Sequence, residues 1–167
     1  MDAIECLMTR RSVRRWTGDP VPRETIEQIL ECGRWAPSGI NIQPWRVFAV
    51  TNEEKKKELA TCTDYGKMIE NAPCVLAIFL NTEQEYSYVK NVQSMGAFFE
   101  NILLAIHALG LGGVWVGQIY NNKEAVHEVL GVTDPKMEFM GAIAFGYPKG
   151  QGRSDRKELN EFVTFIE

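Results

Sequence analysis

Four arginines, Arg10, Arg11, Arg14 and Arg15, fall within six residues of a chain that is acidic overall. With Ser12 among them, they offer guanidinium forks and a hydroxyl just after a short helical stretch. Such groups hold a phosphate through charge-assisted hydrogen bonds, because the planar fork meets two anionic oxygens at once. A solvated basic face is the plainer reading of the same cluster. Downstream, Pro37-Ser38-Gly39-Ile40-Asn41-Ile42-Gln43-Pro44-Trp45 sets small, amide and hydroxyl groups between two prolines. A segment of this kind can present donors to a flat heteroaromatic ring, or simply join a helix to a strand. The tail carries Arg153, Arg156 and Lys157, either a second pair of phosphate contacts or a solvated strip.

Other chemistries are poorly supplied. Gly110-Leu111-Gly112-Gly113 fails the dinucleotide pattern G-x-G-x-x-G, because Trp115 stands where the third glycine belongs. The segment also follows a helical pattern rather than a strand. There is no Walker A motif and no G-x-S-x-G. His107 and His127 are the only histidines and neither has an identifiable nucleophilic partner, so no catalytic side chain is named. Cys6, Cys32, Cys62 and Cys74 are widely spaced without a C-x-x-C pair, which suits neither zinc nor an iron–sulfur cluster, and no metal site is expected. Cys32 and Cys74 sit among apolar neighbours and read as small core residues. A net charge of −4 argues against nucleic acid as the main partner. No apolar run approaches the ~18 residues of a membrane span. The first sixteen residues carry six charged side chains and no signal-peptide core, so a cytoplasmic location is expected.

The elements that must position these groups can be read from periodicity and punctuation. Hydrophobic residues at 45% and charged residues at 24% fit an ordinary globular chain, and 167 residues without repeats or linkers suggest one domain over 1–167. Ile4, Leu7 and Met8 have helical spacing and lead into Arg10. Ile26, Ile29 and Leu30 mark a helix that begins after Pro22 and ends near Gly33. A turn-rich loop over 36–44 precedes a strand over 47–51 and an exposed helix over 53–60. The apolar run 74–80 reads as an interior strand. From near Ser94 a long helix carries Met95, Phe98, Phe99, Ile102, Leu103 and Ile106 on one stripe, with Leu104, Ala105 and Ala108 off it. A helix so apolar all round must be covered on several sides, by its own sheet alone or by its sheet and a second subunit. A strand over 114–117, a helix over 123–130 closed by Gly131, a strand over 139–145 and a strand-like end over 162–166 complete the pattern. Helices and strands mix without strict alternation, so the expected class is α+β with a central, mixed, mainly antiparallel sheet flanked by helices.

Together these segments resemble the nitroreductase family of FMN enzymes over nearly the whole chain. The resemblance rests on Thr9-Arg10-Arg11-Ser12-Val13-Arg14 and on Arg34-Trp35-Ala36-Pro37-Ser38-Gly39 running into Asn41-Ile42-Gln43-Pro44-Trp45. It rests further on Glu100-Asn101-Ile102-Leu103-Leu104-Ala105, on Ala108-Leu109-Gly110-Leu111-Gly112 with Trp115 and Gly117, and on Phe145-Gly146-Tyr147-Pro148. Each piece is weak alone; their order and separations make the set specific.

The resemblance implies an intertwined homodimer with FMN at the subunit interface. It implies that Arg10 and Ser12 grip the phosphate, that Arg11 adds a contact, and that Arg14 lies toward the flavin pyrimidine edge. A cation there stabilises negative charge on the reduced ring and so tunes its potential. Pro37, Ser38, Gly39 and Asn41 would reach the ring from the partner subunit. Gly117 and Gln118 match the loop beneath the ring, where a backbone N–H faces N5 and a glycine leaves room for close approach. Arg156, or alternatively Arg153, would complete the phosphate site, and Lys67 would add a pyrimidine-side contact. Residues 162–166 would extend onto the neighbouring subunit's sheet. The implied chemistry is ping-pong transfer from NADH or NADPH to a small electron acceptor such as a nitroaromatic or quinone. Reductive dehalogenation, specialised flavin chemistry or flavin storage without turnover are the alternatives. The helical insertion that covers the flavin in longer members has little room here, which leaves residues 82–92, with Tyr86 and Tyr88, as the candidate lid.

Overall fold

The computed structural model of the chain describes residues 1–83 and 86–167. Helix α1 (Ala3–Thr9) starts where the Asp2 carboxylate accepts the Glu5 N–H at 2.9 Å, and it ends as Arg10 turns to extended backbone. Pro22 precedes α2 (Arg23–Arg34), and β1 (Trp45–Val50) follows the loop. Asn52 caps α3 (Glu53–Ala60) by accepting the Lys55 N–H at 2.9 Å. Next come a short α4 (Gly66–Glu70), β2 (Cys74–Asn81) and the long α5 (Tyr88–Ala108). Strand β3 (Gly112–Val116), α6 (Lys123–Leu130) and β4 (Met137–Gly146) end the regular structure. Short 3-10 turns lie at Gly39–Asn41, Gln118–Asn122 and Leu159–Glu161.

The four strands pair in the order β1-β2-β4-β3, and every pairing within the chain is antiparallel. Strand β2 is central and buried along nearly its whole length, as its uninterrupted apolar run requires. Its side chains alternate between two cores. Leu76, Ile78 and Leu80 join Ile29 of α2 and Met95, Phe98, Phe99 and Ile102 of α5 on one face. Val75, Ala77 and Phe79 join Leu59, Ile69 and Val126 of α3, α4 and α6 on the other. The stripe foreseen on α5 is thus the inner face of one helical layer. Leu104 is half-exposed, Ala105 is buried, and Ala108 lies open to solvent. Among the described residues, no helix is long and apolar enough to cross a membrane.

Several expectations are corrected. Helix α5 begins at Tyr88 rather than near Ser94, because its first turns bury polar residues that mask the period. Asn91 and Ser94 are both buried, and Ser94 Oγ donates back to the Lys90 carbonyl at 2.8 Å. Cys32 is exposed and not a core residue. Helix α2 packs tightly on α5 at Gly33, where even a Cβ would lie 2.8 Å from Ile102 Cγ1, and the neighbouring Cys32 points outward. Cys74 is buried as expected, and burial pushes its thiol up to about 12. No strand forms over 162–166 within one chain; Phe162, Phe165 and Ile166 stand exposed after the last 3-10 turn. Of the candidate lid, residues 84 and 85 lie outside the described residues, and Tyr88 onward is α5.

Candidate functional site

The basic segment is pinned like an extra strand against the start of β3 and the end of β4. Val13 N–H donates to the Gly113 carbonyl at 3.0 Å, Thr17 N–H to the Tyr147 carbonyl at 3.0 Å, and Lys149 N–H to the Arg15 carbonyl at 2.9 Å. The buried Trp16 indole donates to the Gly112 carbonyl at 2.6 Å. Two glycines permit this approach. A Cβ at Gly112 would lie 2.7 Å from Val13 Cβ, and one at Gly152 would lie 2.6 Å from the Ser12 carbonyl oxygen. The glycine-rich stretch after α5 is therefore a seat for the segment at 13–16, not a cradle for a dinucleotide.

The consequence is a small recess of about 200 Å³ lined by Ser12, Arg14, Arg15, Lys149 and Arg153. Among the described residues, the Ser12 hydroxyl and the Arg14 and Arg153 guanidinium groups have no protein hydrogen-bond partner. The recess thus gathers a hydroxyl and several cationic donors that no described protein group engages, which suits an anion the size of a phosphate. Of the two tail arginines, Arg153 is the one brought there. Arg156 instead folds onto the Ser154 hydroxyl and the Asp155 carbonyl. Arg10 and Arg11 turn elsewhere. Arg10 Nε stands 3.6 Å from Glu100 of α5, while Arg11 donates to the Met8 and Arg10 carbonyls at 2.8 Å each, closing the end of α1. Arg11 also borders a neighbouring hollow of about 610 Å³, together with Thr9 and His107. There His107 Nε2 lies 2.9 Å from the Thr9 hydroxyl, which itself donates to the Glu5 carbonyl at 2.6 Å. Desolvation, then the charges of Arg10 and Arg11, hold the His107 imidazole below its ordinary value.

The loop after α2 carries local backbone strain. Ile40, Asn41 and Gln43 have φ values of 47°, 60° and 50°, a region that side chains with a Cβ rarely enter. Ser38 Oγ accepts the Gln43 N–H at 3.0 Å and holds the loop in that shape. Pro37 and Asn41 are exposed, and Ile40 is 75% exposed, so the loop presents a shaped outer surface. Gly39 lies under the Tyr86 ring, where a Cβ would sit 2.9 Å from Cδ1. Lys90 caps that ring and donates to its hydroxyl at 3.1 Å. None of Pro37, Ser38, Gly39 and Asn41 lines the recess at Ser12.

Gly117, at the end of β3, faces open space: a Cβ built there would meet nothing within 4 Å. Gln118 does not point into that space. Its side chain turns to the segment after α3 and bonds Thr63 and Asp64, two residues that the sequence did not mark. Lys67 is exposed on α4, a few residues further along the same segment. Trp115 is stacked on Phe99 with centroids 4.0 Å apart, yet remains 42% exposed.

The Nitroreductase family model matches residues 7–63 and 61–147, which include the basic segment, the strained loop and the turn at Gly117. The chain belongs to the nitroreductase family. A protein of Archaeoglobus fulgidus with the provisional name NADH dehydrogenase/NAD(P)H nitroreductase is 34% identical over 154 residues, 90% of this chain and 87% of that one. Among solved structures, a provisionally named nitroreductase from Desulfovibrio desulfuricans, in complex with FMN, superimposes with a TM-score of 0.95. It is 37% identical, and the match covers 100% of this chain and 98% of that one. The NADPH:FMN oxidoreductase of Vibrio harveyi, complexed with NAD+, gives a TM-score of 0.88 at 25% identity, over 98% of this chain and 76% of that one. The nitroreductase fold seen here, α+β with an antiparallel sheet between helical layers, agrees with these neighbours. A phosphate-sized cationic recess and an open face at a glycine turn fit a planar, phosphate-bearing cofactor of the kind bound by the Desulfovibrio protein.

Proposed function

We propose that this nitroreductase-family chain is an FMN-dependent oxidoreductase that takes electrons from NADH or NADPH and passes them to a small acceptor such as a nitroaromatic or quinone. The observation that carries the reading is the recess of Ser12, Arg14 and Arg153, with donors that no group among the described residues satisfies. Ser12 and Arg153 would hold the phosphate, Arg14 would reach from the same recess toward the pyrimidine edge, and Lys67 would face that edge. When bound, FMN supplies the two-electron redox chemistry. The protein's own task is to bind, orient and tune, and no side chain acts as nucleophile or as named acid or base. Gly117 leaves the space that a flat ring needs. Donor and acceptor would occupy one cleft in turn, a ping-pong order.

The working unit would be a homodimer in the cytoplasm, with Pro37, Ser38, Gly39 and Asn41 reaching the partner's ring. The outward, strained shape of that loop supports this, as do the exposed Phe162, Phe165 and Ile166 at the tail. The phosphate assignment is tested by Ser12→Ala combined with Arg153→Ala. Losing two charge-assisted contacts at about 1.5–3 kcal/mol each should weaken FMN retention by roughly a hundredfold or more, read by flavin fluorescence after gel filtration. Flavin content equal to that of the unaltered protein would move the phosphate site elsewhere.

A further inference from the structure

The Gln118 side chain ties two segments together. Its Oε1 accepts from the Thr63 hydroxyl and from the Asp64 N–H at 3.2 Å, while its Nε2 donates to Asp64 Oδ2 at 2.9 Å. Thr63 is buried, and its oxygen also accepts the Tyr65 N–H at 3.2 Å. At the far end of the same turn, Asn122 Nδ2 donates to the Cys62 carbonyl at 2.9 Å. The turn at 117–122 is therefore stitched at both ends to residues 62–64. The stitch at 118 matches an amide: both acceptor directions of Oε1 are filled, and a donor meets the Asp64 carboxylate. A glutamate there would set two carboxylates against each other.

Two consequences follow from where the stitch lies. The peptide between Gly117 and Gln118 is fixed directly beside the open space at Gly117. The segment from Thr63 runs within a few residues into Gly66, whose close fit against the Ala60 carbonyl starts α4, and then into Lys67. The same hydrogen bonds thus tie the backbone at 117–118 to the segment that leads into Lys67. We propose that Gln118 is a positioning residue, whose clasp on Thr63 and Asp64 holds the Gly117–Gln118 backbone and Lys67 as one polar edge for the flavin ring. This rests on the reading that the ring lies over Gly117. The clasp acts through groups that touch the cofactor, while the Gln118 amide itself stays turned away.

The test compares Gln118→Leu, Thr63→Val, Thr63→Ser, Asn122→Ala and Gly117→Val in the purified full chain. Four readouts are taken: amide hydrogen exchange over 117–120 without flavin, FMN dissociation constant, midpoint potential and thermal midpoint. Gln118→Leu and Thr63→Val should speed exchange at 117–120 and weaken FMN binding about tenfold, the loss of about 1.4 kcal/mol. They should also make the potential more negative, as Lys67 no longer stabilises charge on the reduced ring. Thr63→Ser should restore all three, because it keeps the hydroxyl. Asn122→Ala cuts a bond between the same segments away from the ring edge, so it should lower the thermal midpoint without moving the potential. If Asn122→Ala and Gln118→Leu shift potential and affinity alike for equal losses of stability, the clasp is only structural and the proposal is overturned. Gly117→Val tests the underlying reading separately. If it binds FMN normally, the ring does not lie over Gly117; if it abolishes binding while Gln118→Leu changes nothing, the clasp alone is wrong.

Discussion

Individual side chains divide into those committed to the protein and those left free, and that division is what points to a ligand. Arg11 is used up by two carbonyls at the end of α1, and Arg156 by its own neighbours, whereas Ser12, Arg14 and Arg153 keep their donors. The residue types were legible in the sequence, but their division was not, since it depends on which carbonyls lie within reach. Gln118 shows the same limit. The family resemblance assigned it to the loop beneath the ring, yet its side chain serves Thr63 and Asp64, which no motif marks. His107 gives a prediction at this scale. Its imidazole is held below the ordinary value of about 6.5, chiefly by desolvation and then by Arg10 and Arg11. The folded state thus binds fewer protons than the unfolded chain, and the stability this confers is present above pH 6.5 or so and is lost as pH falls through the depressed value. Urea denaturation from pH 7.5 to 5 should show His107→Gln losing less stability on acidification than the unaltered protein. Parallel losses in both would contradict the assignment.

At the level of elements, the basic segment works because β3 begins with glycines and because 147–152 folds back across it. Val13 sits on Gly112, Trp16 binds the Gly112 carbonyl, and Ser12 lies against Gly152. Gly112→Val would force two side chains into one space. Overpacking of this kind costs about 1–3 kcal/mol, and here the displaced group is the segment that bears the recess. The variant should lose FMN at least tenfold more readily, while Gly131→Ala, at a left-handed position with open space beside it and far from the recess, should lose stability without a comparable effect on FMN. Equal FMN affinity in Gly112→Val and the unaltered protein would dissociate the site from its seat. Periodicity reads well where a single face is buried, as in α2 and α6, the uninterrupted apolar run reads β2, and the bounds of α3 and α6 match the sequence reading. It fails where polar groups are buried for tertiary reasons. Asn91 and Ser94 hide the first turns of α5, and the loop-bound α4 has too few residues to show a period.

For the whole molecule, two helical layers enclose the sheet within one chain, yet some apolar surface stays uncovered. Ile4, Leu7 and Met8 on α1 are more than half exposed, as are Phe162, Phe165 and Ile166 in the tail. Under the proposed homodimer a second copy would cover these surfaces, and sedimentation should show a dimer at low micromolar concentration. A stable monomer there would sink the shared-site arrangement. The central claim is the redox one, and its most direct test is the visible absorption spectrum of the freshly purified protein, recorded anaerobically before and after NADH or NADPH is added. Flavin bands that bleach with one donor and return with a nitroaromatic or quinone are the predicted result. A colourless protein that cannot take up added FMN, or flavin bands that neither donor bleaches, would contradict it.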